Sequence, residues 1–169
     1  KRQSLKQHSL KALDTLHPAI LLAPHLNRRG LEVTVGHHLQ AVVEAQRERA
    51  QTLEELADIS LFYYRDFDEY DAKAAKRALK PEAAEPLRAA RGAFEELHDW
   101  SRDALHATVA SVVERLDTGF GKVAMPLRIA VTGGMPSPDL DLTLSLVGRE
   151  ATLRRIDQAI ACIENANPE

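Results

Sequence analysis

A stretch rich in glycine and proline, residues 121–138, constrains the fold of this chain more than any other feature. It holds three of the eight glycines and three of the eight prolines, and it separates two long segments with helical patterns. Glycine and proline fix backbone geometry and add little to a core. The stretch therefore predicts a turn-rich binding edge, and its one arginine, Arg128, lies inside an otherwise apolar run.

Before residue 70, apolar residues recur at helical spacing. In the helix predicted over residues 36–50, the apolar stripe also includes a polar residue, Gln46. Thr52 and Glu55 have the spacing of a capping box, in which the threonine hydroxyl accepts from a free backbone N–H and the glutamate reaches back, so another helix begins there. The helices predicted ahead of it span residues 5–16, 18–27 and 36–50.

The acidic segment 65–71 interrupts this periodicity and predicts a boundary between two helical subdomains, residues 1–70 and 71–169. Asp71 is placed to cap the first helix of the second subdomain, and Ser101 is placed to cap the third. The helices predicted there span residues 72–79, 86–99, a segment after Ser101 that ends before Gly119, and 149–165.

Residues 140–146 carry two conflicting signals. Leucine at every second position is the alternation of a strand. Ser137 as N-cap, Pro138 at the first helical position and Gly148 at the end instead frame a helix. We predict the helix, so the chain is expected to be all-α, with two consecutive helical-bundle subdomains.

The last predicted helix is amphipathic. Cys162 lies on its apolar part and is expected to be a small core residue. The inward-facing residues are predicted to be Leu153, Ile156, Ile160 and Ile163, and the outward-facing ones Arg154, Arg155 and Asp157.

Composition narrows the possible functions. The chain has 169 residues, 44% of them hydrophobic, and a net charge of −3, so any site for nucleic acid must be a local basic patch. A single cysteine forbids an internal disulfide and fits a cytoplasmic protein. No run is long and apolar enough to span a membrane. Because Lys1 is not methionine, we expect a fragment of a longer protein.

No motif in the sequence indicates a catalytic site or a metal site. The adjacent pair His37 and His38 diverges on a helix and cannot easily share a metal ion, and no nucleophile and base are paired in the sequence. We expect no catalysis, no metal and no cofactor in this chain. The aromatic residues at 62–64 and Trp100 could stack on bases, but their helical spacing favours packing in a core.

Several motifs, in the same order, resemble bacterial glutamyl-tRNA synthetases in their C-terminal region. They are Glu-Arg-Ala-Gln-Thr-Leu-Glu-Glu-Leu at 48–56, Phe-Tyr-Tyr at 62–64, Lys-Val-Ala-Met-Pro-Leu-Arg-Ile-Ala-Val-Thr-Gly at 122–133, Ser-Pro-Asp-Leu at 137–140 and Leu-Val-Gly-Arg-Glu at 146–150. The resemblance runs from about residue 5 to residue 163. It implies the helical cage with which class I synthetases bind the tRNA anticodon.

The resemblance also implies roles for particular residues. Arg49 would recognise the third anticodon base, and Arg128 would contact the anticodon loop. Ser137, Pro138 and Leu140 would surround the first two anticodon bases, with serine where some family members have threonine. Charge alone, and not the resemblance, makes six residues candidate phosphate contacts, and the alternative for each is an ordinary solvated charge. They are Arg28, Arg29, Lys122, Arg149, Arg154 and Arg155.

The same resemblance implies a partner and a context. The partner would be the anticodon stem-loop of glutamate tRNA, bound by a cytoplasmic monomer that has no membrane contact. ATP and magnesium would be used by the catalytic part of the parent ligase, whose ATP-binding motifs are absent here.

Two alternatives stay open at this point. One is a helical protein–protein adaptor that does not bind RNA, which an apolar patch around Arg49, Arg128 and Ser137 would favour. The other is a glutamylating paralogue that acts on a modified base, although such relatives generally lack this C-terminal region. A basic patch joining the same three residues would favour RNA.

Overall fold

A computed structural model of the chain describes residues 14–166, and within that range the regular structure is helical, as predicted. Backbone contacts divide the chain into two units, one reaching Arg65 and including 136–138, the other holding 66–135 and the residues from Asp139 onward. The division into domains at 1–70 and 71–169 stays a prediction. The α-helices are α1 (Leu16–Arg28), α2 (His37–Gln46), α3 (Leu53–Ser60), α4 (Ala72–Ala78), α5 (Ala84–Glu95), α6 (Arg102–Arg115), α7 (Phe120–Thr132), α8 (Leu140–Val147) and α9 (Arg149–Ala166).

The first unit packs α1, α2 and α3 around one apolar core. The predicted helix over 5–16 lies outside the described residues apart from its end, and α1 begins at Leu16, with Pro18 tolerated in its first turn. The helix predicted over 36–50 ends at Gln46 and continues as a 3₁₀ turn, Arg47–Arg49. The fully buried members of this core include Ala19, Leu22, Leu26, Val43, Leu56 and Ala57.

The capping box of α3 is confirmed. The Thr52 hydroxyl accepts from the backbone N–H of Glu55 at 3.1 Å. The Glu55 carboxylate accepts from the backbone N–H of Gln51 at 2.7 Å, one residue before the expected donor. One unpaired N–H of the first turn of α3, and the N–H of the residue before its N-cap, thus gain side-chain partners.

The second unit has a larger core built from α5 to α9. The predicted caps are confirmed, since the Asp71 carboxylate accepts from the N–H of Ala74 and the Ser101 hydroxyl accepts from that of Ala104. Trp100 packs against this core and donates from Nε1 to the Leu144 carbonyl at 2.8 Å. The helix predicted to reach residue 99 ends earlier, at Glu95.

The prediction of a turn-rich edge over 121–138 was wrong for most of its length. Residues 120–132 form α7, with Pro126 inside the helix, and Leu127 and Ala130 are fully buried in the core. Proline costs a helix one hydrogen bond, but the burial of this apolar face outweighs that loss. Only residues 133–138 form the turn, which begins at Gly133 in a left-handed conformation with φ 71°.

The helix predicted against the strand signal is confirmed as α8, ending at Gly148, but its predicted start was wrong. It begins at Leu140 after Asp139, and not at Pro138 after Ser137. Leucine at every second position is compatible with this helix because its core contacts follow a helical period instead. The buried residues of α8 are Leu140, Thr143, Leu144 and Val147.

Two residues of α9 contradict the predicted facing. Arg155 is buried and not outward, because its guanidinium finds polar partners inside the unit. Cys162 is exposed and not part of the core. Ile156 and Ile163 are buried as predicted, and Leu153 and Ile160 are partly buried.

No helix of residues 14–166 combines the length and the apolar character needed to cross a membrane.

Candidate nucleic-acid interface

An open groove of about 510 Å³ lies on the second unit where α6, α7 and the start of α8 meet. One side of α7 lines it with Phe120, Ala124 and Arg128, which recur every four residues and so share a helix face. The short side chain of Ala124 separates an aromatic ring from a cation. The remaining lining residues are Asp103, His106, Asp139, Leu140 and Asp141.

Phe120 is one of two residues with an aromatic ring that line this groove, and its ring is accessible to solvent. It is 45% exposed although it is a large apolar side chain. Its ring centroid lies 6.1 Å from that of His106, with 35° between the two planes. Two neighbouring rings at the rim of an open groove provide a surface on which a planar base can stack. Sequence reasoning missed both residues. The signal for Phe120 was its position as an aromatic residue directly after Gly119, which caps α7.

Carboxylates and arginines face each other around the same groove. Arg102 donates to Asp141 at 3.2 Å and lies 3.9 Å from Asp139, whose side chain is 86% exposed. Arg128 is half-buried in the groove, and its carbonyl accepts from the Thr132 hydroxyl at 2.6 Å. The groove thus offers both donors and acceptors to the edge of a polar ring.

Arg128 and Leu140, two of the residues that the resemblance assigns to the anticodon loop, both line this groove. Leu140 is only 7% exposed and belongs to the core, so it contributes mainly to the shape of the groove.

Arg49 is an exposed residue of the first unit, at the end of the 3₁₀ turn. One guanidinium nitrogen of Arg49, NH1, donates to the carbonyl of Ala45 at 2.7 Å, and this bond holds one end of the guanidinium in place. Within residues 14–166 no carboxylate pairs with it. Asp58, one of the two neighbouring acids on α3 with Glu54, binds Arg29 at 2.9 Å. Most of its five N–H donors remain available to a ligand.

Ser137 and Pro138 belong to the first unit, where Gln46 fixes the neighbouring backbone. The amide of Gln46 is fully buried and donates to the carbonyls of Ile59 at 2.8 Å and Pro136 at 2.9 Å. Pro138 is buried and Ser137 is half-buried. Gln46 is a positioning residue that was missed, although a polar residue within an apolar helical stripe was its visible signal.

The candidate phosphate contacts fall into two groups. Arg28 and Lys122 are exposed, and Arg28 lies beside His25, whose pKa is lowered by burial and by the charges of Arg28 and Arg29. Others serve the fold: Arg29 binds Asp58 and the carbonyl of His25, and Arg149 donates to carbonyls at the end of α5.

Arg154 and Arg155 share one carboxylate of the second unit. Arg154 is bidentate to Asp66, at 3.0 and 3.1 Å. Arg155 donates to Asp66 at 3.2 Å and to the Val131 carbonyl at 2.7 Å, with its guanidinium 5.0 Å from the Phe67 ring centroid. Hydrogen bonds from Arg154 and Arg155 hold the pKa of Asp66 below its ordinary value, and burial lowers that of Arg155. A phosphate that binds Arg154 or Arg155 would have to compete with the carboxylate of Asp66.

The other aromatic residues pack as predicted. Phe62 and Tyr63 are about 4–5% exposed, so their faces are not available to a base. The Tyr64 hydroxyl lies 3.1 Å from Nδ1 of His38. Burial raises the pKa of Tyr64 to about 12.

Comparison with known proteins finds one domain model and several relatives. The model described as "Anticodon binding domain" matches residues 5–160. The chain is 48% identical, over 159 residues, to glutamate–tRNA ligase 1 of Alkalilimnicola ehrlichii. That match covers 94% of this chain but only 34% of the relative, so the chain spans about a third of its length.

Two solved structures share the fold. A glutamate tRNA ligase from Elizabethkingia meningosepticum, in complex with its amino acid, superimposes with a TM-score of 0.81 at 24% identity, covering 89% of this chain and 30% of that one. A glutamate-tRNA synthetase from Elizabethkingia anophelis gives a TM-score of 0.75 at 23% identity, covering 88% and 29%. At these identities the likeness concerns the helical architecture, which agrees with that described above.

Proposed function

The chain belongs to the anticodon-binding domain family, and from this premise we propose that it recognises the anticodon stem-loop of glutamate tRNA for a discriminating glutamate–tRNA ligase. The chain selects the tRNA, and a separate catalytic part attaches glutamate with ATP and magnesium. We place this ligase in the cytoplasm, as a monomer in protein synthesis. Neither the family nor the likeness to a ligase supports the adaptor alternative.

The observation that carries the proposal is the groove of the second unit. Unpaired bases of an RNA loop expose a flat face and a polar edge, and proteins bind them by stacking and by hydrogen bonds to that edge. Phe120 is accessible for stacking, and Arg128 lies on the same face of α7. The groove therefore accommodates one splayed base of the loop, with the ring beneath it and donors and acceptors at its edge.

Arg49 acts on a different base. Its guanidinium is exposed and without a carboxylate partner among the described residues, so its planar fork is available to a base edge. We assign it to the third anticodon base, and we assign Ser137 and Pro138 to the surroundings of the first two.

A titration tests this function. The chain is titrated with glutamate tRNA and with an unrelated tRNA at low and moderate salt. We expect preference for glutamate tRNA and an affinity that falls clearly as salt rises, because cations that neutralise phosphates displace counterions. Equal binding of both tRNAs, or no binding of either, would show that the proposed function is wrong. A flat salt response would argue against contacts to the RNA backbone.

A further inference from the structure

Helix α4 presents a row of cations that neither the sequence reasoning nor the groove accounts for. Lys73, Lys76 and Arg77 are spaced by three and four residues and so share one face of the helix. The other side packs Ala74 and Ala78 against Ile129. All three cations are solvent-accessible, and none has a carboxylate partner among residues 14–166. The row therefore points into solvent while the alanines hold the helix to its unit.

The row continues into a second open groove, of about 540 Å³. Arg77 and Lys80 line that groove together with Lys122, one of the candidate phosphate contacts. We call Lys73, Lys76, Arg77, Lys80 and Lys122 the basic patch. Three carboxylates, Glu82, Glu85 and Asp117, also line the groove. They balance the charges of Arg77, Lys80 and Lys122, so the excess positive charge of the basic patch is that of Lys73 and Lys76 on α4.

Local helix stability does not explain this arrangement. Cations near a helix C-terminus are favoured by the helix dipole, which suits Lys76 and Arg77. Lys73 lies in the first turn, where a cation is disfavoured. Like charges three and four residues apart also destabilise a helix, and Lys73 has both Lys76 and Arg77 at those spacings. A polyanionic ligand would relieve this repulsion.

Resting on the proposed function, we propose that the basic patch binds the phosphate backbone of the duplex stem that adjoins the anticodon loop. The face of α4 carries ammonium and guanidinium groups and no aromatic ring, so it suits phosphates and not unstacked bases. A duplex presents closely and regularly spaced phosphates, which a short row of cations can neutralise together. The patch adds affinity that is independent of the anticodon sequence.

The test compares two double variants of the chain. Lys73→Gln/Arg77→Gln removes two charges from the patch, and glutamine keeps the helix propensity of the residues that it replaces. Arg88→Gln/Arg115→Gln is the control with the same change in net charge, since both arginines are exposed and neither lines either of the two grooves. Each protein is titrated with the full anticodon stem-loop of glutamate tRNA and with a single-stranded oligonucleotide of the loop alone.

We expect the patch variant to bind the stem-loop on the order of tenfold more weakly at low salt. Its salt slope should be shallower by about 2, because each removed cation leaves one phosphate with its counterions. Its binding of the loop oligonucleotide, its thermal unfolding and all properties of the control variant should match those of the wild type.

Three results would overturn the inference in different ways. If the patch variant binds the stem-loop as the wild type does, the patch does not bind the stem, whereas the proposed function stands. If its binding of the loop oligonucleotide is weakened equally, the patch binds single-stranded backbone, and the stem assignment is wrong. If the wild type binds neither RNA, the proposed function fails and this inference fails with it.

Discussion

The buried guanidinium of Arg155 donates from Nε to Oδ1 of Asp66 at 3.2 Å, and the same carboxylate accepts both bonds of Arg154. Arg155 is 2% exposed, whereas the side chain of Asp66 is 45% exposed. A buried cation without a counterion is costly, so this carboxylate has a structural function in the second unit.

Replacement of Asp66 should therefore destabilise the chain. We expect Asp66→Asn to lower the free energy of unfolding by about 1–3 kcal/mol, less than for a fully buried pair because water reaches the carboxylate. Asp157→Asn is the matched control, because its partner Arg91 is more exposed than Arg155, and it should cost less than about 1 kcal/mol. Urea unfolding measures both. Equal losses would mean that burial of Arg155 does not depend on Asp66.

The same ion pair predicts a dependence on pH. The folded-state pKa of Asp66 lies below its unfolded value of about 3.9, so the unfolded chain binds the proton more readily. The stabilisation is present above the unfolded pKa and is lost as the pH falls through the folded pKa. The stability gap between wild type and Asp66→Asn should thus be full at pH 6 and reduced at pH 3. A gap that stays constant over this range would contradict the assigned ion pair.

Alanine substitution at two glycines compares the cost of backbone strain alone with the cost of strain plus a steric clash. Gly134 and Gly148 have φ values of 100° and 96°, so alanine is strained at both positions. A Cβ at Gly134 would lie 2.7 Å from Cβ of Asp71, whereas at Gly148 it would meet nothing within 4 Å. We expect Gly148→Ala to cost about 1–2 kcal/mol and Gly134→Ala about 1–3 kcal/mol more. Thermal unfolding of both variants checks this, and similar losses would mean that the contact with Asp71 is relieved without cost.

Phe120 should contribute to RNA binding and not to stability. Because its ring is 45% exposed at the rim of the groove, Phe120→Ala should weaken binding of the anticodon stem-loop by about 1–3 kcal/mol, the usual contribution of one stacked base. Ile20→Ala, a similarly accessible apolar side chain at 50% exposure that lines neither of the two grooves, should leave binding unchanged. A fluorescence titration compares them. Equal affinities of Phe120→Ala and wild type would remove the ring from the site.

Local signals in the sequence predicted local structure well. The capping box at Thr52, the caps at Asp71 and Ser101 and the end of α8 at Gly148 depend on neighbours a few residues away, and all are present. Arg155 could not be predicted in the same way, because Asp66 lies 89 residues from it in the chain.

Tertiary packing also explains the error in residues 120–132. Glycine and proline there indicated turns, but the apolar residues between them fill the centre of the second unit, and their burial stabilises a helix that contains Pro126. The family resemblance led to Arg128 and Leu140, which do share a groove. It did not lead to Phe120 or His106, whose position depends on the packing of α6 against α7.

Arg49 is assigned to the third anticodon base, where glutamate and glutamine tRNAs differ. Glutamate anticodons end in cytosine and glutamine anticodons in guanine. The pairing edge of cytosine offers two acceptors, N3 and O2, to the planar fork of Arg49, whereas guanine presents donors over most of that edge. A good bidentate contact of this kind discriminates by about 1–3 kcal/mol. Glutamine both donates and accepts, so Arg49→Gln should tolerate either base.

The measurement is the affinity of wild type and Arg49→Gln for two glutamate tRNAs that differ only in the third anticodon base, cytosine or guanine. We predict that the wild type prefers cytosine by roughly ten- to a hundredfold and that the variant loses most of this preference while it stays folded. If the wild type binds both tRNAs equally, or the variant keeps the full preference for cytosine, Arg49 does not recognise this base and the chain is not the discriminating domain proposed here.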